Sequence, residues 1–353
     1  MRGRIPALEA MRGLAALMVV AAHVNTFHSF DDVPQAGWLN FTSYGWLGVQ
    51  LFFVLSGLVL YLPYARGTRL ELGRYATRRI LRIGPGLWVA LAITVAAFGL
   101  WTPEALRHAL FLNPNTDTAA SPIAPAWSLT IEMGFYLLLP ALVWLFARRQ
   151  SYRIPILFAL ILVGFAFRQR YQMGWPMNPL TYVDNFAAGM LAAIVVARYR
   201  LPRWTLVVGA VALVAGLAYM GVKSNWVIGI AVVGLLFAVT LATLASVDPH
   251  VPRALIWLGT ISYGVYLWHW PILRAVHDQG LYRLPDALEV AAVAGASVVA
   301  GWVSWRIVEQ PAVRLSSRRR TRRAQAAHQS PSEMEASTGG PLVSVVEPLS
   351  SPR

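Results

Sequence analysis

The sequence predicts an all-α membrane protein, a bundle of about ten transmembrane helices with both termini in the cytoplasm. Three observations support this prediction. The 353 residues are 57% hydrophobic and only 13% charged, whereas a soluble domain carries about 25% charged residues. Apolar runs of helix length recur along the chain, and arginines cluster in alternate segments between them. The net charge of +14 is therefore interpreted as an orientation signal, with the lipid bilayer and not nucleic acid as the expected partner.

Ten apolar spans follow one another along the chain. Several are shorter than the roughly 20 residues that a straight crossing needs, so some helices are expected to tilt or to lie partly inside the bundle. The predicted spans cover residues 7–27, 45–63, 83–101, 127–147, 154–168, 181–198, 203–221, 225–245, 254–274 and 286–308.

The arginine distribution predicts which ends face the cytoplasm. Arginines are concentrated before the first span and after the even-numbered spans, although the segment after the eighth span holds only Arg253, and they are scarcer in the opposite set of segments, as expected for a multi-pass protein of the plasma membrane. We predict one membrane domain over residues 1–313. Residues 314–353 are predicted to form a basic juxtamembrane segment, suited to anionic lipid headgroups, followed by a disordered tail with too few apolar residues to fold.

The first span carries ionisable residues that need a reason to be there. Charged groups inside a bilayer are costly and usually face a protein interior or a water-filled path. Arg12 and His23 are eleven residues apart, so on a helix they share one face and are separated by roughly 16 Å along the axis. We interpret His23 as a catalytic candidate. Arg12 could either bind a ligand or pair with Glu9 one turn earlier.

Two further titratable residues are predicted to lie at the depth of His23. Glu132 is near the outer start of the fourth span, and His269 is near the outer end of the ninth. An imidazole near a carboxylate is typical of general-base chemistry on a hydroxyl group. The alternatives are structural. The Glu132 carboxylate could be stabilised by the positive N-terminal end of the helix dipole, and His269, between two tryptophans, could belong to an interfacial aromatic belt.

A group of arginines at the start of the third span provides the complementary feature. Arg78, Arg79 and Arg82 lie within one turn of each other on a helix. Guanidinium groups bind phosphates through paired hydrogen bonds, so the group suits a polyanionic ligand with a long arm that reaches His23. The positive-inside rule also explains arginines at this position.

The remaining polar positions are interpreted as follows. Ser56 is expected to be a helix-packing hydroxyl or part of the substrate site, and Asn25, Tyr136, Tyr266 and His269 could line an acceptor pocket. Glu309 is expected to pair with Arg306 or with the group at 78–82. The chain has no cysteine, and no metal or permanently bound cofactor is expected.

Six stretches, taken together and in order, resemble membrane acyltransferase family 3, whose bacterial members O-acylate glycans and some antibiotics. The likeness covers nearly all of residues 5–315. The stretches are Leu8-Glu-Ala-Met-Arg-Gly-Leu-Ala-Ala16 with His23, Gly48-Val-Gln-Leu-Phe-Phe-Val-Leu-Ser-Gly57, Arg78-Arg-Ile-Leu-Arg-Ile-Gly-Pro85 with Trp88, Trp127-Ser-Leu-Thr-Ile-Glu132, Ser262-Tyr-Gly-Val-Tyr-Leu-Trp-His-Trp-Pro271, and Glu309-Gln-Pro311.

The resemblance implies roles for particular residues. His23 matches the essential histidine of the family, Arg12 its partner, and Arg79 with Arg82 the Arg-x-x-Arg pair at the donor site; the co-substrate would be an acyl-coenzyme A. Gln50 departs from the family, which commonly has Asp at that position. Met133-Gly134 replaces the usual Glu-Gln. These departures suggest an unusual acceptor.

The sequence thus predicts an integral-membrane O-acyltransferase that transfers an acyl group, expected to be acetyl, from acyl-coenzyme A to a hydroxyl of a glycan or glycolipid. Whether His23 is a general base or a covalent acyl carrier stays open. Two alternatives also stay open: the same chemistry on a small secreted molecule such as a macrolide, and a proton-coupled transporter that uses the same intramembrane residues.

Overall fold

The computed structural model describes residues 5–30, 44–112, 121–171, 178–222, 226–279 and 286–315. Every regular element in these ranges is helical. The helices are α1 (Pro6–Phe30), α2 (Leu47–Ala65), α3 (Leu72–Phe98), α4 (Pro103–Ala109), α5 (Trp127–Arg148), α6 (Arg153–Tyr171), α7 (Val183–Arg198), α8 (Trp204–Val222), α9 (Trp226–Val247), α10 (Arg253–Asp278) and α11 (Asp286–Ser304). A π-helical segment, Trp305–Glu309, continues α11.

Eight helical segments in the described ranges are long and apolar enough to cross a membrane, which supports a multi-pass membrane protein. Two predicted spans fall outside these eight. One is α8, of which the described apolar part is Trp204–Ala215, and the other is α10, which is 26 residues long but rich in polar and aromatic residues. The predicted count of ten spans and the cytoplasmic position of both termini therefore stay predictions, and the predicted tail lies almost wholly outside the described residues.

Two helix pairs form the most intimate contacts of the bundle, α1 with α10 and α2 with α7. A Cβ atom added to Gly259 of α10 would lie 1.8 Å from the carbonyl oxygen of Glu9. One added to Gly57 of α2 would lie 2.2 Å from the carbonyl oxygen of Phe186. Glycine is required at both positions, because the backbones approach too closely for any side chain.

A buried ion pair joins α6 to α7. Arg168 and Asp184 are 2% and 4% exposed, and the guanidinium donates to both carboxylate oxygens. Arg168 also donates to the carbonyl oxygen of Thr181 at 2.7 Å. The ion pair therefore links the C-terminal end of α6 to the N-terminal start of α7.

We expect Arg168→Met to lower the free energy of unfolding by about 3–5 kcal/mol, because it leaves the Asp184 carboxylate buried without its cation. The double variant Arg168→Met/Asp184→Leu should recover most of the loss. Thermal unfolding of the purified protein in detergent measures both effects. Equal destabilisation in the single and double variants would contradict this account.

His108 of α4 anchors the segment that leads into α5. Its side chain is 1% exposed. Nδ1 lies 2.7 Å from the carbonyl oxygen of Glu104, and Nε2 lies 2.9 Å from Ser121 Oγ. Burial lowers the pKa of His108 below its ordinary value of 6.5. Nε2 also lies 3.1 Å from the carbonyl oxygen of Ile123. The ring therefore holds residues 121 and 123 against α4, just before α5 begins.

This contact predicts a pH dependence of stability. Because the pKa of His108 is lower in the folded state, the unfolded chain binds the proton more readily, and stability present above pH 6.5 is lost as the pH falls below that value. His108→Gln should flatten the decline of melting temperature between pH 7 and pH 5. His250→Gln, which changes an exposed histidine, is the matched control and should keep the wild-type slope.

Candidate active site

A cavity of about 840 Å³ opens between α1, α2, α3, α5 and α10. Along α2 its wall extends from Val49 to Pro63, which is about 21 Å at 1.5 Å per residue. One end is lined by the start of α3 and the other by Ser128 and Tyr266. The cavity is long and narrow, and because different residues line its two ends, the two ends differ in chemistry.

The end at the start of α3 is strongly basic. Arg79 lies over the ring of Tyr136, with 5.6 Å between the guanidinium carbon and the ring centre. Arg78 is exposed at the rim, whereas Arg79 and Arg82 are half-buried. The arginines that line the cavity are Arg12, Arg69, Arg74, Arg78, Arg79, Arg82 and Arg314. Such a concentration of guanidinium groups favours a ligand with several negative charges.

Two of the arginines are paired as the sequence suggested. Arg12 lies 3.7 Å from the Glu9 carboxylate one turn earlier in α1. Arg82 lies 3.6 Å from the fully buried carboxylate of Glu309, which confirms the expected pairing of Glu309 with the group at 78–82. Glu309 ends the π-helical segment after α11, a local distortion that is frequent at functional sites.

The middle of the cavity holds the carboxylate of Glu132. Ser56 Oγ donates to it at 2.9 Å, and the hydroxyl of Tyr136, one turn further along α5, also donates to it. Tyr75 of α3 in turn donates to the carbonyl oxygen of Tyr136 at 3.0 Å. α2, α3 and α5 therefore meet at one hydrogen-bonded carboxylate, which faces the same cavity as Arg12.

Tyr266 closes the end of the cavity that is far from the arginines. Its hydroxyl donates to the carbonyl oxygen of Pro125 at 2.6 Å and lies 2.7 Å from Ser128 Oγ. The Phe52 ring packs edge-on against it, with 5.9 Å between centres. These aromatic rings form a layer one residue thick.

Behind this layer lie two histidines from different helices. The ring centres of His23 in α1 and His269 in α10 are 5.0 Å apart, and His23 Nδ1 lies 3.2 Å from His269 Nε2. The His269 ring, which is fully buried, lies 5.7 Å from that of Tyr266. Trp270 packs edge-on against His23. The histidine pair is thus separated from the cavity by the Tyr266 side chain.

Most of the predicted site residues meet at this cavity. Eight of the eleven line its wall: Glu132, Arg12, Arg78, Arg79, Arg82, Ser56, Tyr136 and Tyr266. His23 and His269 lie one layer beyond it. Asn25 is buried two residues after His23 and is not part of the wall. In the described residues no group of three histidine or carboxylate side chains could hold a metal ion.

The expected contact between Glu132 and His23 is not present in the described part of the chain. Glu132 accepts hydrogen bonds from Ser56 and Tyr136 instead, and His23 contacts His269 and the carbonyl oxygen of Val19. The physical reason is the arrangement of helices: α1 packs along α10, whereas α5 contacts α2. The side chain that contacts His23 is therefore that of His269, which the sequence assigned either to the site or to an interfacial aromatic belt.

Two tyrosines that line the cavity were not predicted from the sequence. Tyr75 precedes Arg79 by one helical turn, and Tyr263 of α10 lines the basic end and donates to the carbonyl oxygen of Ile83 at 2.5 Å. Tyr263 belongs to the stretch that carried the family resemblance. Its periodicity with Tyr266 could have indicated a shared face towards the cavity.

The fold and the cavity define a class: a multi-pass membrane protein with a polar, arginine-lined cavity that leads towards a pair of histidines, the half-buried His23 and the buried His269. The acyltransferase domain family matches residues 5–306. The chain therefore belongs to this acyltransferase family, which confirms the resemblance to membrane acyltransferase family 3.

Individual relatives are similar at low identity. The peptidoglycan O-acetyltransferase OatA of Listeria monocytogenes is 24% identical over 88% of this chain, and the O-acetyltransferase OatA of Staphylococcus aureus is 24% identical over 87%. The chain spans only 56% and 57% of these two relatives. The acyltransferase MdmB of Streptomyces mycarofaciens is 28% identical over 90% of this chain and 94% of its own length. No solved structure matches the chain.

Proposed function

We propose that this protein is a membrane O-acyltransferase that transfers an acyl group, acetyl in the first instance, from acyl-coenzyme A to a hydroxyl of a carbohydrate-containing acceptor. One observation carries the proposal: in a member of an acyltransferase family, a cavity leads from an arginine group to Tyr266, which contacts the buried His269 and through it the half-buried His23. The names of both OatA relatives support O-acetyl transfer, and the name of the Listeria relative, a peptidoglycan O-acetyltransferase, supports a glycan acceptor.

The basic end of the cavity suits the coenzyme head. Coenzyme A carries three phosphate groups on its nucleotide part, and guanidinium groups bind phosphates through paired, charge-assisted hydrogen bonds. Arg78 and Arg79 line this end together with Arg82. The thin pantetheine arm then follows α2 through the cavity, past the Glu132 cluster and towards Tyr266.

The reaction assigned to His23 is written in two forms. As a general base, His23 takes the proton of the acceptor hydroxyl while the oxygen attacks the thioester carbonyl; the carbon–sulfur bond breaks and the coenzyme leaves as a thiol after taking up a proton. As an acyl carrier, His23 attacks the thioester carbonyl with a ring nitrogen, the carbon–sulfur bond breaks and the coenzyme leaves as a thiol after taking up a proton. The acceptor hydroxyl then attacks the acyl carbon, the nitrogen–carbon bond breaks and the hydroxyl proton passes to the released ring nitrogen. Either form requires Tyr266 to move, because its side chain separates the cavity from the histidines.

Glu132 has a different role in this proposal from the one that the sequence suggested. Its carboxylate faces Arg12 in the cavity wall, bonded to Ser56 and Tyr136. It therefore balances cationic charge and shapes the channel for the arm.

His23→Ala should abolish acyl transfer, with a fall in kcat of at least about 100-fold, the lower range for loss of a general base. The measurement is transfer of labelled acetyl from acetyl-coenzyme A to glycan acceptors by purified protein in proteoliposomes. His277→Ala, which removes a histidine of α10 outside the cavity wall, is the control. Full activity of His23→Ala at unchanged expression would refute the mechanism.

Arg79→Gln should raise KM for acyl-coenzyme A roughly 10-fold or more, since a hydrogen bond between charged groups contributes about 1.5–3 kcal/mol. KM for the acceptor should not change. Arg82→Gln should do the same, but it also leaves Glu309 buried without its cation, so Arg82→Gln/Glu309→Gln separates binding from folding. Arg200→Gln, at an exposed arginine outside the cavity wall, is the matched control.

The same preparation distinguishes the alternatives. Label that accumulates inside proteoliposomes without a covalently modified product would favour a transporter. Acyl transfer to a macrolide but to no glycan would support the proposed acyl transfer and would show that the acceptor is a small molecule and not a carbohydrate polymer.

A further inference from the structure

The histidine pair contains a residue whose role the proposed function leaves open. The sequence placed His269 among acceptor-binding residues or in an aromatic belt, yet it is fully buried and its Nε2 lies 3.2 Å from His23 Nδ1. It therefore contacts the reacting histidine from inside the protein. No aromatic belt residue at a lipid interface would be so placed.

The three contacts of the pair permit one arrangement of protons. His23 Nδ1 lies 2.9 Å from the carbonyl oxygen of Val19, and His269 Nδ1 lies 2.6 Å from that of Tyr266. A carbonyl oxygen accepts only, so both Nδ1 atoms must carry hydrogen. A neutral ring has one N–H, which leaves His269 Nε2 as an acceptor that faces the Nδ1–H of His23.

The opposite arrangement fails at both contacts with backbone carbonyl oxygens. A proton on His269 Nε2 would leave Nδ1 of that ring with a lone pair directed at the Tyr266 carbonyl oxygen. It would also require His23 Nδ1 to give up its hydrogen and direct a lone pair at the Val19 carbonyl oxygen. If both rings were cationic, two N–H groups would face each other across 3.2 Å.

From this geometry we propose that His269 is the positioning residue of the reacting histidine, a neutral acceptor that holds His23 as the Nδ1–H tautomer and stabilises the positive charge that develops on it. The inference rests on the proposed function. The His23 Nε2 atom, which has no hydrogen-bond partner among the described residues, is then unprotonated and available. Both routes written for His23 require this atom free.

His269 occupies the position that a carboxylate has in many nucleophile–base systems, where a third group orients the base. A neutral acceptor suits this site, since an ionised carboxylate so close to the membrane core would be costly without a permanent cation. Tyr266 links the pair to the cavity, because its carbonyl oxygen orients His269 while its side chain closes the channel.

The tautomers can be measured without any assay of activity. Nitrogen-15 NMR of ring-labelled histidine in proteoliposomes distinguishes Nδ1–H from Nε2–H rings, and His23→Gln and His269→Gln identify the two signals. We expect Nδ1–H at both positions at neutral pH. An Nε2–H ring at His269 would overturn the proposal, whatever the activity of the protein.

Kinetics provide the second test. His269→Phe removes the acceptor and should lower kcat about 10-fold with both KM values within about 2-fold, in keeping with the loss of one hydrogen bond to a developing charge. His269→Gln, whose amide oxygen can accept from His23, should recover most of the rate. His277→Gln is the control for the substitution itself.

Each other outcome has a meaning. An increase of acceptor KM with unchanged kcat would overturn the proposal and return His269 to acceptor binding. Equal losses in His269→Phe and His269→Gln, with lowered melting temperature in both, would overturn it in favour of a packing role. If His23→Ala stays active, the proposed function fails, and the NMR result still decides how the pair is protonated.

Discussion

The close packing of α1 against α10 is the contact on which the rest of the site depends. Gly13 faces Gly259 so closely that a Cβ atom on either would overlap the opposite backbone. Ten residues further along each helix, about 15 Å at 1.5 Å per residue, His23 meets His269. The two helices run in the same direction and in register, and small residues at one end set the distance between reactive rings at the other.

Charge compensation is the second constraint on the bundle. Several buried or half-buried charges within the described residues have a partner of opposite sign, including the pairs of Arg12 with Glu9, Arg82 with Glu309, and Arg168 with Asp184. Uncompensated charge is costly in a membrane protein. The pairs at Arg82 and Arg168 also join different structural elements, whereas the pair at Arg12 lies within α1. The pair at Arg168 is enclosed, whereas the cavity exposes Arg12 and Arg82 to a ligand. Stability and ligand recognition thus use the same chemistry at different degrees of exposure.

The site can be described as two compartments separated by one aromatic layer. The arginine end and the Glu132 cluster belong to the cavity, and the histidine pair lies behind Tyr266. Such a division would keep a reactive thioester away from water until the layer opens. It also explains why Glu132 and His23, both expected to be catalytic, have separate partners.

The sequence by itself determined the helical membrane class, the family and eight polar residues of the cavity wall, because each depends on local patterns: apolar runs, arginine placement and short motifs such as Arg78 to Pro85. It also anticipated the pairing of Glu309 with Arg82. Partners between helices were decided only by the tertiary structure. Predicted depth placed Glu132 and His269 equally near His23, but depth does not specify which helix is the neighbour. Because α1 packs against α10, the side chain beside His23 is His269 and not Glu132.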